Sequence, residues 1–447
     1  MLDRALLRND PDTVRAAALS KGEPCPIDEW LQIDKDRRRL LAETEKLRRR
    51  RNELSKEVSS LKREGKNADE LILESREAGT DLSSIEENLA AVNIRMAELE
   101  LHFPNIPDPG VPAGSDEASN RIFDPLQPEN RQWVEDVFSS DKWDEFYQDC
   151  RTGVPEKPSF TFNPLPHWEL MGEYLDSNAS GRITGSNFIL LRGWAARLQR
   201  ILINWMMDFH EKAGMEEIWS PFLATRESMT MTGQIPKLES DMYQVEKDDL
   251  FLIPTGEVPL TNIFRGRTFS EKELPVCVFG YTPCFRREAG SYGKENRGLN
   301  RVHQFEKVEM VRVESPGRSE AAVSYMVWHV ISMLQELELP WRCSLLATGD
   351  LSFAAAKCYD LEVWAAGQEK WLEVSSISNF RDFQARRGNI KFKPSGGGKP
   401  EFVHTLNGSA LALPRIMAAL IENGQTESGK IVLPGVLAER AGTEFLD

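Results

Sequence analysis

The chain has 447 residues, 40% hydrophobic and 28% charged, with a formal net charge of -15. That is enough for two or three domains and at least one large core, in the composition range of ordinary globular proteins. No run approaches the ~18 apolar residues of a membrane span, and the six cysteines (25, 150, 277, 284, 343 and 358) include no Cys-x-x-Cys pair, which argues against zinc fingers and disulfide-stapled secreted modules.

The opening Met1-Leu2-Asp3-Arg4-Ala5 has no apolar signal core, so the expected location is cytoplasmic. Residues 1–30 read as a short helical cap, with turn signals from Gly22 to Pro26. Ile33, Leu40, Leu47, Leu54 and Leu61 then recur every seven residues. Gly65-Lys66-Asn67 interrupts the repeat, which resumes with Leu71, Ala78, Ile85, Val92 and Leu99, beside a second stripe of Leu82, Leu89 and Met96. Two heptad stretches around a Gly-Asn turn predict an antiparallel helical hairpin over about residues 30–101. Between Lys35 and Lys66 stand thirteen basic residues against six acidic ones, a net +7 that includes the run Arg48-Arg49-Arg50-Arg51 and Lys56. Intrahelical ion pairing is one reading of such a face. On a chain of opposite net charge, a surface for a polyanion is the other.

Phe103 to Pro112 is proline-rich and cannot continue a helix. It opens a linker over 104–125, after which 126–447 reads as a second domain. Residues 130–155 carry Trp133, Trp143, Phe146 and Tyr147 amid charge and resemble an insertion, with no function assigned. Strands are predicted around 251–254, 276–281, 307–313 and 360–364, with an amphipathic helix over 318–338. The strands lack regular crossover helices, so an α+β fold with an antiparallel sheet flanked by helices is favoured over a doubly wound one.

The chain has no Walker-type phosphate loop. Instead two segments pair arginine with glycine and small polar residues: Cys284 to Gly290 running on to Arg301–Glu309, and His404 to Ser409 followed by Arg415. Phosphate chemistry needs fixed positive charge and carboxylate-held Mg2+. Arg286 beside Glu288, with loop glycines Gly290, Gly293 and Gly298, supplies the charge, and Phe305 a flat face for a base. Lys307 and Glu309 share one side of a strand. Glu373-Val374-Ser375-Ser376 suits Mg2+, and Thr255-Gly256-Glu257 suits an ammonium. Arg286 with Glu288 taken alone would read as a surface ion pair. Tyr359, Trp364 and Trp371 read as core.

With these strings the chain resembles the bacterial-type seryl-tRNA synthetases, class II aminoacyl-tRNA ligases. The resemblance runs through Thr255–Asn262, Phe285–Glu309, Tyr359–Trp364, Asp382–Arg387 and His404–Ser409, and Pro221 resembles the first class II motif. It implies an N-terminal tRNA-binding domain (1–103) with a coiled-coil arm, and a catalytic domain with a six-to-seven-stranded antiparallel sheet. It implies ATP as substrate with Mg2+ and no zinc, a homodimer, and tRNA(Ser) gripped by its long variable arm. In that light Arg286 contacts the α-phosphate and the serine carboxylate. Arg287 and Glu288 lie on ATP, Glu288 towards the adenine end. Val302 and Phe305 hold adenine, Glu373, Val374, Ser375 and Ser376 line the phosphates, with Glu373 and Ser376 on Mg2+, and Arg415 grips the γ-phosphate. Thr255, Gly256, Glu257, Arg286, Glu309 and Ser409 surround serine, and Arg48 to Arg51 with Lys56 meet tRNA. The implied reaction is serine activation to seryl-adenylate followed by transfer to the 3′ end of tRNA(Ser), with tRNA(Sec) as a further acceptor left open.

The chain departs from that pattern in places. Ala410 and Pro414 stand where glycine is usual, and both are expected to resist close backbone approach around Arg415. Ile377 replaces a usual cysteine and Asn300 an apolar residue. These departures keep open a divergent paralogue that makes seryl-adenylate for another acceptor or for self-resistance; a third reading is a catalytically dead tRNA-binding or structural protein.

Overall fold

The computed structural model describes residues 1–123, 155–289 and 297–446. The chain divides into two compact units, Met1–Pro104 and Asn105–Asp447. Cys150, Gly290, Gly293 and all of the 130–155 stretch except Pro155 lie outside the described residues.

The secondary structure of the first unit is helical. Asp3 caps α1 (Arg4–Asn9) and Asp10 caps α2 (Pro11–Ser20), whose first turn holds Pro11; both aspartates accept bonds from otherwise unpaired amides. The predicted hairpin is formed by α3 (Ile27–Arg63) and α4 (Asp69–Glu100), about 55 and 48 Å long at 1.5 Å per residue. Leu40, Leu54, Ala78, Leu82, Met96 and Leu99 are buried along the seam, while Leu47, Leu61, Ile85 and Val92 are half-buried. Two helices alone cannot enclose a seam on all sides, so the flanking heptad positions keep solvent contact. The base is clamped by polar bonds: Glu100 accepts from Arg4 Nε at 2.7 Å and Trp30 Nε1 at 3.1 Å, and Asp34 accepts two bonds of 2.8 Å from Arg8.

The second unit is built on an eight-stranded sheet. Its strands are β1 (Arg121–Phe123), β2 (Glu216–Glu217), β3 (Val276–Phe285), β4 (Gln304–Glu314), β5 (Trp341–Leu345), β6 (Lys357–Ala365), β7 (Lys370–Asn379) and β8 (His404–Ala412), in the order β1-β5-β6-β7-β8-β4-β3-β2. All neighbours are antiparallel except β2 and β3. The six-to-seven-stranded expectation is thus corrected: among the described residues the sheet has eight strands, and its last pair is parallel. Edge strands of two and three residues are too short to produce a readable alternation.

Ahead of β3 come α5 (His167–Leu170) and α6 (Gly193–Lys212), α7 (Ser319–Glu336) connects β4 to β5, and α8 (Leu413–Asn423) follows β8. Leu202, Phe209, Val327, Met333, Ile416 and Leu420 from α6, α7 and α8 share one core with Val308, Met310, Val363 and Val374 of the sheet. Side chains alternate along a strand, so Lys307 and Glu309 point to the opposite face from Val308 and Met310. Tyr359 belongs to the core as expected, whereas Trp364 and Trp371 are half-buried, with Lys157 Nζ 3.6 Å from the Trp364 ring centre.

Candidate active site

Register places the polar residues together. Ser409 on β8 lies opposite Glu309 on β4, and Gly408 opposite both Met310 and Ile377. The Thr255-Gly256-Glu257 turn, which leads into the short helix Glu257–Asn262, rests directly on β4. A Cβ at Gly256 would fall 2.9 Å from Glu309 Cβ, so only glycine allows this approach. Thr255 Oγ1 donates to Glu309 at 3.3 Å and accepts from Lys307 Nζ at 2.8 Å, while Lys307 is ion-paired to Glu309. Asn407 Nδ2 donates to Glu309 at 2.8 Å, Gln384 Nε2 to Glu257 at 2.6 Å, and Thr405 Oγ1 to Gln384 at 2.7 Å. Lys307, Gln384 and Asn407 are not among the residues singled out from sequence for binding. Lys307 shares its strand face with Glu309, a signal present in the sequence. Gln384 has no such signal, because tertiary folding alone brings it to Glu257.

This network floors a cavity of about 450 Å³ lined by Thr255, Glu257, Arg286, Lys307, Glu373 and Ser409. A second cavity of about 100 Å³, lined by Val302, Phe305, Val374 and Arg415, shares Arg286, Glu288, Glu373 and Ser409 with the first. The two therefore adjoin across a shared wall that includes Arg286. Burial, with Glu309 nearby, pushes the Glu257 carboxyl up to about 7. Glu257 and Glu309 face one buried ammonium, that of Lys307. Once Glu257 ionises, the cavity carries an uncompensated negative charge suited to a cationic group.

Arg286 follows β3. Its amide donates to the His303 carbonyl at 2.9 Å, its Nε to the Pro254 carbonyl at 3.2 Å, and its guanidinium lies 5.3 Å from the Phe305 ring centre. Glu288 adopts a positive φ of 52° and pairs with Arg301. Four predicted residues do not line the cavities: Gly256 and Glu309 are buried beside them, and Arg287 and Ser375 are directed elsewhere. The Arg287 side chain donates to the Ser240 carbonyl and its amide to the Asp241 carbonyl, and it lines a separate groove with Tyr243 and Glu246. Ser375 is buried under the sheet's hydrogen bonding, donating to the Ser409 carbonyl at 2.5 Å. A bulge at Val374, between the pairs Leu361–Ser375 and Glu362–Glu373, resets the alternation, so that Glu373 and Ser376 share the cavity face and Ser375 does not.

Arg415 stands in the first turn of α8. Its Nη1 donates to the Glu373 carbonyl at 2.8 Å and carboxylate at 3.3 Å, and its Nε to the Asn300 carbonyl at 3.2 Å. The expected obstruction by Pro414 and Ala410 is not found. Pro414 lies in the first turn of α8, where no amide bond is lost and its φ is already helical. Ala410 is fully buried, and the positive φ falls on Leu411, at 149°, inside the irregularity between Ser409 and Ala412.

A magnesium ion fits near Glu373 and Ser376. Asp360 pairs in register with Ser376, and its carboxyl is pushed well above the usual range by burial and by Glu373. Two mutually repelling carboxylates beside a hydroxyl are a donor set that a cation relieves. Among the described residues no group of three or more His, Cys, Asp or Glu is arranged to hold a metal. A magnesium ion here would therefore take its other ligands from phosphates and water.

In the first unit, the arginine run divides. Arg48 pairs with Glu86 at 2.7 Å and Arg50 with Glu74 at 2.6 Å, from α3 across to α4. Arg49 lies 3.9 Å from Glu45, and Arg51 and Lys56 are exposed and make no ion pair among the described residues. No helix among the described residues is long and apolar enough to cross a membrane.

Residues 1–107 match the family model for the seryl-tRNA synthetase N-terminal domain, and residues 238–424 that for the class II tRNA synthetase core domain (G, H, P, S and T). The chain is 45% identical to a serine–tRNA ligase of Thermomicrobium roseum over 99% of its length and 94% of that protein's. It is 44% identical to the serine–tRNA ligase of Thermotoga petrophila over the whole of both. Its structure is similar to the crystal structure of seryl-tRNA synthetase from Pyrococcus horikoshii complexed with ATP, with a TM-score of 0.87 and 32% identity, covering 100% and 99% of the two chains.

Proposed function

This chain belongs to the seryl-tRNA synthetase family, and on that premise we propose that it is a serine–tRNA ligase whose chemistry takes place across the adjoining cavities around Arg286. The observation that supports this is their shared wall: the cavity lined by Thr255 and Glu257 has Arg286 and Glu373 in common with the one lined by Arg415.

Serine's ammonium sits among Thr255, Glu257 and Glu309, and its hydroxyl bonds to Glu309 and Ser409. Alanine lacks the hydroxyl and forfeits both bonds, and a site built to hydrogen-bond a substrate hydroxyl rejects the analogue without it by on the order of 10⁴-fold. The serine carboxylate attacks the α-phosphorus of ATP, giving seryl-adenylate and pyrophosphate. Arg286 faces both reactants, aligning them and stabilising the developing phosphoryl charge. Adenine lies between Phe305 and the Val302 backbone, with Glu288 at that end, and Arg415 holds the γ-phosphate. Magnesium held by Glu373 and Ser376 would supply further positive charge at the α- and β-phosphates. No side-chain nucleophile is required. A ribose hydroxyl at the 3′ end of tRNA then attacks the seryl carbonyl, forming the ester as the acyl–phosphate bond breaks and AMP leaves with the proton.

The hairpin is the surface for tRNA(Ser), whose long variable arm it meets by backbone shape and charge. Arg51 and Lys56 are its outward cations, while Arg48 and Arg50 brace the hairpin. Two chains associate through the β2 edge, where Trp219 is 73% exposed next to Pro221. The reaction takes place in the cytoplasm. Relatives of full length and the complete hairpin favour tRNA over another acceptor. Charging of total tRNA with labelled serine is the test: serine-dependent charging is expected. Serine-dependent pyrophosphate exchange without charging would point to another acceptor, and absence of both would overturn the reading.

A further inference from the structure

His167, at the start of α5, is fully buried, as is Glu422 on α8. Glu422 Oε1 accepts from the His167 amide at 3.0 Å and from its Nδ1 at 2.7 Å. Gln368 adds a bond from its amide to Oε2 at 3.1 Å and from its Nε2 to Oε1 at 2.7 Å. On its other side the ring accepts the Leu299 amide on Nε2 at 2.8 Å. An amide can only donate, so Nε2 is the acceptor and Nδ1 carries the ring proton towards Glu422.

The chain segment fixed in this way leads into the nucleotide cavity. Gly298 runs so close that a Cβ there would lie 2.3 Å from His167 Nε2, and its φ is 69°. The next residue but one, Asn300, is pinned through Nδ2 to Gln368 Oε1 at 2.7 Å, and its carbonyl is the one that receives Arg415 Nε. Leu299, Asn300, Arg301 and Val302 all line the smaller cavity. The His167 end is itself anchored, since Gln425 exchanges bonds of 2.8 and 3.0 Å with the Leu165 backbone.

We propose that His167 is a positioning residue for ATP. Held by Glu422, its ring sets the path of Leu299–Val302 and, through the Asn300 carbonyl, the placement of Arg415. The inference rests on the nucleotide site assigned above. It touches neither Thr255, Glu257, Glu309 nor Ser409, so its effect falls on ATP and spares serine. Buried partners that orient contacting groups act in this way in metal sites, and the same logic holds for a phosphate-gripping arginine.

The test is titration of the full chain with ATP and, separately, with serine, for the parent and for His167→Gln, His167→Asn and His167→Phe, alongside thermal melting. A glutamine amide reaches the position of Nε2 and can still accept from Leu299, asparagine reaches only that of Nδ1, and phenylalanine keeps the volume with neither bond. ATP affinity is expected to fall about tenfold or more in the Asn and Phe variants and to recover largely in the Gln variant, with serine affinity changed by less than about twofold. Equal losses for both ligands, or a Phe variant binding ATP as the parent does, would overturn the proposal. Should the His167 variants fail to fold, Gln368→Leu, on the half-buried partner, decides: weaker ATP binding with unchanged serine binding supports it, and unchanged ATP binding overturns it. A parent that binds ATP yet exchanges no pyrophosphate with serine sinks the ligase reading alone, and the ATP series still decides the role of His167.

Discussion

Arg415 Nη1 lies 2.8 Å from the main-chain oxygen of Glu373 and 3.3 Å from its carboxylate. One residue from the start of a helix is thereby tied to one in the middle of the sheet. The carboxylate proposed for magnesium also orients the arginine proposed for the γ-phosphate. Glu373→Gln should therefore affect two contacts at once. Pyrophosphate exchange is expected to fall at least about a hundredfold, with a raised magnesium requirement and little change in melting temperature. Exchange at the parental rate and magnesium dependence would remove Glu373 from the site.

Arg286→Ala should abolish adenylate formation, by about 10²–10³-fold or more for the loss of a charge-stabilising donor, while the protein stays folded. Its side chain makes one bond to a carbonyl, that of Pro254, which is modest support for the fold. Circular dichroism and exchange assays on the same sample check both halves. Unfolding would make Arg286 structural.

The Glu257 carboxyl is raised to about 7 by burial, with Glu309 nearby. A carboxyl binding its proton more tightly when folded stabilises the folded state at low pH, and this support is lost as pH rises from the ordinary carboxyl range through about 7. Stability should decline across that window in the parent and less in Glu257→Gln, as read by denaturant unfolding at several pH values. The ionised form is the one that holds an ammonium, so serine affinity should rise with pH through about 7 in the parent and not in the variant. A flat profile in the parent would contradict both.

On the arm, Arg51→Glu with Lys56→Glu should weaken tRNA binding and make it less salt-dependent, the slope changing by about one for each phosphate no longer neutralised, without affecting serine-dependent exchange. Arg48→Ala and Arg50→Ala should instead loosen the hairpin, because their partners are Glu86 and Glu74. Filter binding across a salt series distinguishes the two pairs. Equal salt slopes for all four would return Arg48 and Arg50 to the tRNA surface.

At the sheet edge, Trp219→Arg should convert a dimer to monomers in light scattering, since it places charge in the middle of an apolar contact. A parent that is monomeric at all concentrations would remove the interface.

The sequence by itself determined the heptad hairpin and the central strands. Each rests on a local signal. A seven-residue repeat, an alternation or a proline acts over a few neighbours, so Leu40, Leu54, Leu82 and Met96 form a buried seam as their spacing predicts. Glu309 and Lys307 share a face for the same reason. What depended on distant partners was decided only by the tertiary structure. The run Arg48 to Arg51 divides between bracing and outward residues because α4 places Glu74 and Glu86 opposite two of them. Arg287 is directed away from the cavities, its guanidinium donating to the Ser240 carbonyl and its amide to that of Asp241. Pro414 is harmless because the helix begins there, a fact about backbone hydrogen bonding that residue type alone does not state. Gln384 reaches Glu257, and His167 reaches Leu299, across 127 and 132 residues. No periodicity spans such distances. Only the closing of the sheet and its helices around one core brings those groups within hydrogen-bonding range.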